Sequence, residues 1–527
     1  MRNFHFPGRS EVYAKNAMVA TSQPLATETA LSIMKQGGNA MDAAIAAAAV
    51  LAVIEPTDTG IGGDCFALFS EGSKSAPIAF NGSGKSPANI SIDKIKKLNL
   101  NFISDHSPHA VTIPGAVDAW HQLHQRFCNL DFEELLAPAI NFAEDGYFVH
   151  ERLSNTWRNN LNRLQNTEAK LLFSINGVAP SPGQKMKNTF LAKTLKTISK
   201  LGRKGFYEGE ISTKIVSYLR SKGGHHTLED FASAKGEFVS PINTNYREKT
   251  VFQLPPNTQG IISLIILKIL EHFKLSKLKF NDPERIHILI EAAKISYFYR
   301  NKLLGDLNSS KKILDILNND DLISTLASDI NLKQSNTHIP SIPNLGSNTV
   351  YLSVIDKDLN SVSFINSLYE SFGTGISVPS LGILLQNRGK SFTLDENHPN
   401  HLGPSKRPMH TIIPAMVFNK EKLFMSFGVM GGDYQPMGHV DVLSCILDHG
   451  LNFQSALDKP RFLPINQNVE VEEGVSAEII NNLKSKNHNI LKTKYPHGGG
   501  QIISIDWNEG KLIGASDPRK DGIALGY

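Results

Sequence analysis

A threonine that opens a strand directly after a long polar loop can act as both nucleophile and base. Thr349 stands in that position. Residues 331–348, NLKQSNTHIPSIPNLGSN, show no sustained periodicity, and TVYLSVID alternates from Thr349 onward. A cut between Asn348 and Thr349 would place a free α-amino group beside the threonine's own hydroxyl. With a pKa of about 8, much of that amine is neutral at physiological pH and can accept the hydroxyl proton. A second hydroxyl, Ser367, comes close if residues 349–367 fold as a hairpin. Gly431-Gly432 follows the strand-like LFMSFGV, and consecutive glycine amides can approach a developing oxyanion with no Cβ in the way. Together these residues suit acyl transfer through an ester on Thr349. Taken singly they have plainer readings, since a threonine at a strand start and a Gly-Gly pair are usually structural.

The elements that must position them follow from periodicity. If the hairpin turn centres on Asp358-Leu359, paired positions sum to about 717, which sets Thr349 opposite Leu368. A loop one residue different in length, or a bulge, sets Ser367 there instead. Residues 24–36 read as a helix capped by Ser22, with Pro24 in its first turn and Gly37-Gly38 as its stop. The alanine-rich run 43–54 is too short to span a bilayer and suits a buried core helix. The tight glycine loop Thr59-Gly60-Ile61-Gly62-Gly63-Asp64 leads into a strand, CFALF. Further helical patterns cover 116–127, 133–144, 262–273 and 283–304, and further strands 423–427 and 501–506.

At 527 residues the chain is too long for one ordinary core and implies two lobes or one large composite fold. A net charge of +4 without a basic block argues against nucleic acid or membrane partners. Cys65, Cys128 and Cys445 have no metal-type spacing, and the N-terminus shows no apolar signal region, so a cytoplasmic protein is expected. Two apparent motifs fail on inspection. GSGKS at 82–86 lacks the glycine a phosphate loop needs at Ala79, and Pro87 falls where the following helix should start. His225-His226 has no third ligand at useful spacing and reads as a surface loop.

Several blocks, in order, resemble the γ-glutamyltransferase family of N-terminal nucleophile hydrolases. They include GGNAMDAAIAAAAVLAVIEPTDTGIGGDCFALF, IPGAVDAW, ELLAPAINFAEDGY, LIEAAKISYFYR, TVYLSVIDKDLNSVSFINSLYESFGTGI, GPSKRPMHTIIPAM, GVMGGDYQP and GASDPRKDG. The resemblance implies an α+β fold, a four-layer αββα sandwich formed jointly by both halves of a precursor. It implies self-cleavage between Asn348 and Thr349, giving a large subunit, 1–348, and a small one, 349–527. Thr349 would be the nucleophile, Ser367 its supporting hydroxyl, and the amides of Gly431 and Gly432 the oxyanion hole. No metal or organic cofactor is implied, and a dimer of heterodimers is compatible with this scheme.

The substrate pocket departs from the family's γ-glutamyl pattern. Ser83 stands where an arginine usually grips the glutamyl carboxylate, and Tyr369, Arg388 and Ser391 stand where Asn, Gln or Glu, and Asp usually hold the amino group. His410-Thr411 replaces a Ser-Ser pair. The changes resemble the branch that contains oxamate amidohydrolase and cephalosporin-acylase-like enzymes. Arg388 would repel an ammonium group and suit a carboxylate. The resulting expectation is hydrolysis of a small anionic amide, oxamate-like. The alternatives are γ-glutamyl hydrolysis or transfer on glutathione, and an inactive binding relative. Plainer roles exist here too: Arg388 as an ion-pairing loop residue, Tyr369 as pocket wall or core, His410 bonded to backbone, and Lys85 simply solvated.

Overall fold

The computed structural model describes residues 8–336 and 349–527. Of the expected cleavable loop, 331–336 carries no helix or strand. Residues 331–334 are exposed and Ser335 is buried, while Asn348 lies outside the described residues.

Two seven-stranded sheets form the centre. The first runs Val12–Ala14, Lys511–Ser516, Gly499–Asp506, Lys422–Met430, Ala415–Asn419, Lys249–Gln253, Ile242–Tyr246. The second runs Ile523–Gly526, Met18–Thr21, Val350–Ile355, Ser361–Ser367, Asp64–Ser70, Ile78–Gly82, Glu237–Val239. Each sheet thus mixes strands from before and after Thr349. The sheets pack face to face through Val350–Ile355 against Lys422–Met430 and Gly499–Asp506. Helices Pro24–Lys35 and Ala40–Ile54 cover the outer face of the second sheet, and Gly260–Glu271 and Tyr434–Leu447 cover the first. The class is α+β. No helix among the described residues is long and apolar enough to cross a membrane.

The layering explains why strand Val350–Ile355 is buried along its whole length. Alternate side chains face opposite layers. Val350, Leu352 and Val354 join the core under the helices, whereas Tyr351 and Ile355 join the core between the sheets. The alanine-rich helix, Ala40–Ile54, is buried at every residue. It starts earlier than periodicity indicates because Asn39 and Asp42 form a capping box.

Two local expectations are corrected, and one register left open is resolved. Ser22 does not cap the first helix: Gln23 does, accepting from Leu25 N at 2.6 Å, while the Ser22 hydroxyl donates to Glu55 at 2.5 Å. The hairpin pairs Val350 with Asn366 and Ile355 with Ser361, which puts Thr349 beside Ser367 rather than Leu368. The Asp356 carboxylate sets this register by accepting from the backbone N–H of Asp358 and of Asn360, each at 2.9 Å, and so building a longer turn. His226 is buried, with Nε2 2.9 Å from the carbonyl of Val111, so only its neighbour His225 keeps partial exposure. The segment after Gly82 is irregular where a phosphate loop would run into a helix, in keeping with the rejection of that motif.

Candidate active site

Thr349 is 1% exposed and its Oγ1 lies 3.1 Å from Ser367 Oγ. Either hydroxyl can be the donor, and Ser367 Oγ also accepts from the Tyr369 backbone N–H at 2.8 Å. Ser367 is pressed into place from the far side by the glycine loop. A Cβ on Gly63 would lie 2.2 Å from the Ser367 carbonyl oxygen, so a side chain there would push the hydroxyl out of line. Tyr369 holds φ at +84°, a costly backbone for a bulky residue, typically about 1–3 kcal/mol. That bend is what aims its N–H back at Ser367.

The ring of Tyr369 supports Arg388, whose guanidinium carbon stands 3.8 Å from the ring centroid. Arg388 is fully buried and donates from Nη1 to Thr411 Oγ1 at 2.9 Å. Its Nε and Nη2, and the Tyr369 hydroxyl, have no hydrogen-bond partner among the described residues. Burial lowers the Arg388 pKa to about 10, which leaves it cationic at neutral pH. A buried cation with unpaired donors is a costly arrangement unless an anion meets it.

His410 points elsewhere. Its Nε2–H donates to Asp64 Oδ2 at 3.1 Å, and its Nδ1 accepts from the Ile412 N–H at 3.4 Å. Burial, reinforced by the nearby Arg388 charge, lowers its pKa to about 3, so the imidazole is neutral. Ser391 is likewise committed to backbone, donating to the carbonyls of Arg388 and Met409. Ser83 is buried and bonded to Asn81 and Asn257. Lys85 is exposed.

Two supporting residues escaped the sequence reading. Asp64 pairs across the sheet with Ser367, and its Oδ1 accepts from Gly84 N, Gly115 N and Gln386 Nε2 at 2.9–3.2 Å. Gln259 donates from Nε2 to the carbonyls of Gly432 (2.9 Å) and Thr411 (2.7 Å), tying the glycine pair to the segment that holds Arg388. The acidic residue in GGD was the one visible hint of Asp64; no local pattern marked Gln259. Gly431 and Gly432 sit at φ +118° and +57°. Asp433, directly after them, is ion-paired with buried Arg300. A cleft of about 970 Å³ opens beside Gly431, with Glu55, Asp58 and Lys520 in its wall.

Comparison with known proteins agrees with this geometry. The gamma-glutamyltranspeptidase family model matches residues 26–527. The chain is 36% identical over 528 residues to the glutathione hydrolase-like YwrD proenzyme of Bacillus subtilis, covering 98% of this chain and 99% of that one. It is 29% identical over 530 residues to the oxamate amidohydrolase proenzyme of Klebsiella pneumoniae, covering 97% and 98%. The crystal structure of cephalosporin acylase from Bacillus halodurans matches with a TM-score of 0.92 at 36% identity, covering 100% of this chain and 99% of that one. A family match that spans both halves of the fold and every residue of the site makes this chain an enzyme of the gamma-glutamyltranspeptidase family.

Proposed function

We propose that this protein is a self-processing threonine amidohydrolase acting on a small amide that bears a carboxylate. Maturation begins when the Thr349 hydroxyl attacks the carbonyl carbon of Asn348. The acyl group moves from nitrogen to oxygen, and water then cleaves the ester, leaving a large subunit ending at 348 and a small one starting at 349. In turnover, the new α-amino group takes the hydroxyl proton as Thr349 attacks the substrate amide. The amides of Gly431 and Gly432 carry the oxyanion, and water resolves the acyl-enzyme. Ser367 holds the Thr349 hydroxyl, and Thr411 and Tyr369 hold Arg388. His410 acts through Asp64 as a positioning residue. That three relatives are proenzymes or acylases by name fits this scheme.

The observation that carries the substrate class is Arg388, a buried guanidinium with two donor atoms unpartnered among the described residues. Planar, bidentate donors of that kind match a carboxylate. An oxamate-like amide is the leading candidate. A second reading, hydrolysis or transfer of a γ-glutamyl group, is supported by the 36% identity to a relative named glutathione hydrolase-like. An inactive binding relative is disfavoured by the Thr349–Ser367 hydroxyl pair.

Mass spectrometry of the purified chain tests the first step: two fragments with a new N-terminal threonine are expected, and a single chain in Thr349→Ala. An intact wild-type chain after long incubation would sink the scheme. Assays of the matured enzyme on oxamate and on γ-glutamyl-p-nitroanilide test the second; activity on the latter alone would overturn the anionic-amide assignment.

A further inference from the structure

Helix Pro283–Leu303 carries His287 and Glu291 one turn apart, on one face. His488, beyond the end of helix Ala477–Ser485, reaches the same point, and all three are buried. His287 Nδ1 is 2.7 Å from His488 Nε2, and that Nε2 is 4.0 Å from Glu291 Oε1. Among the described residues this trio is the one group of His, Cys, Asp or Glu side chains whose donor atoms all lie within 4.8 Å of one another.

The hydrogen bonds assign the tautomers. His287 Nε2–H donates to the Asn331 carbonyl at 2.8 Å, so its Nδ1 bears a lone pair. His488 Nε2–H donates to that lone pair, which leaves His488 Nδ1 a bare acceptor, buried and with no hydrogen-bond partner among the described residues. A buried acceptor left unused in this way calls for an explanation. If the His488 proton moves to Nδ1 by exchange with water, no hydrogen bond at Nδ1 is lost and Nε2 becomes a second lone pair. Two imidazole nitrogens and a carboxylate oxygen then converge. The Asn331 carbonyl holds the His287 ring from behind, as the outer partners of ligating histidines do. Burial keeps both rings neutral, which a ligand requires.

We propose that His287, Glu291 and His488 bind a divalent first-row transition ion, with Zn²⁺ the best fit to two imidazoles and one carboxylate. The site is remote in chemistry from the amide reaction, and it departs from the expectation of a metal-free protein. Ligand bonds of about 2.0–2.2 Å need the two nitrogens to part from their hydrogen-bonded separation to roughly 3.3 Å, a rotation of the rings. The ion also has a rival. Lys294 Nζ lies 2.8 Å from Glu291 Oε1 and 2.6 Å from Ser335 Oγ, and must swing outward. Glu291 also accepts from the Ser335 hydroxyl at 3.1 Å and from Asn336 N–H at 2.9 Å. A bound ion would therefore clamp the long helix, the His488 turn and residues 331–336 together, just upstream of the proposed cut.

The test is titration of the chelator-treated full chain with Zn²⁺ by calorimetry and with Co²⁺ by visible absorption. One saturable equivalent is expected, with Co²⁺ d–d bands. His488→Gln should weaken binding by about 100-fold and remove the bands, and Lys294→Met should tighten it by about 10-fold. If His488→Gln does not fold, Glu291→Gln replaces it with the same expected loss. Absence of saturable binding in the wild type, equal affinity in wild type and the ligand variant, or unchanged affinity in Lys294→Met overturns the assignment.

Discussion

The guanidinium of Arg388 lies over the ring of Tyr369, 3.8 Å from its centroid, and the backbone N–H of the same tyrosine donates to Ser367 Oγ. One residue therefore links the hydroxyl pair to the cation. The ring fixes the guanidinium while Thr411 takes a single donor, so Nε and Nη2 stay available for a planar anion.

Arg388→Gln removes that anchor without adding bulk. Hydrogen bonds to charged groups contribute about 1.5–3 kcal/mol, so kcat/KM on an anionic amide should fall roughly 10- to 100-fold, mostly through KM. Arg388→Lys should rescue little, because an ammonium neither stacks nor forks. Self-cleavage should be unaffected in both, as read from the fragment ratio on a gel. Unchanged kinetics on anionic amides would remove Arg388 from substrate binding.

Ser367→Ala deletes a partner of Thr349 Oγ1 and leaves the Tyr369 N–H without its Ser367 acceptor. An unsatisfied buried donor costs about 1–3 kcal/mol, and here the cost falls on the geometry of the proposed nucleophile. Both self-cleavage and turnover should slow by about 10- to 100-fold, measured as a time course of fragment release and as kcat. Ser367→Thr, which keeps the hydroxyl, should recover part of each rate.

Gly431→Ala meets two obstacles. Its φ of +118° is poor for any side chain, and a Cβ would lie 2.8 Å from the Gly498 Cα, backbone against backbone. The turn must shift, and the proposed oxyanion donors shift with it. A loss in kcat of about 100-fold is expected with a smaller change in KM, since donors of this kind act on the transition state. A loss confined to thermal stability would argue against the oxyanion role.

Local chemistry was legible in the sequence where it depended on neighbours in the chain. The helix at Ala116–Phe127 follows its apolar spacing, and the hairpin that carries Thr349 follows its alternation. Its register was ambiguous by one residue because the Asp356 carboxylate, not turn composition alone, fixes the loop length. The short strands Val12–Ala14, Met18–Thr21 and Ile523–Gly526 were invisible for want of length, although they bind the two ends of the chain into the sheets. The role of Gln259 could not be read, and that of Asp64 was hinted at only by its place after Gly62-Gly63. Asp64 is met by Gly84, Gly115, Gln386 and His410, which the fold brings from four separate stretches, and no spacing encodes such a meeting.

Glu55 ends the alanine-rich helix and lines the cleft beside Gly431. Burial raises its pKa from 4.5 to about 8, helped by the nearby Asp58 and opposed by Lys520 and the Ser22 hydroxyl. The folded protein therefore keeps the Glu55 proton over a range in which the unfolded chain releases it. This contribution to stability is full below pH 4.5 and is lost as pH rises through about 8. Glu55→Gln has the shape of the protonated acid and does not titrate. Its melting temperature should match the wild type near pH 5 and exceed it by roughly 1–3 °C near pH 8.5. Differential scanning calorimetry across that range decides the matter: a gap that is constant with pH, or one that widens toward acid, would mean Glu55 is ionised in the folded protein.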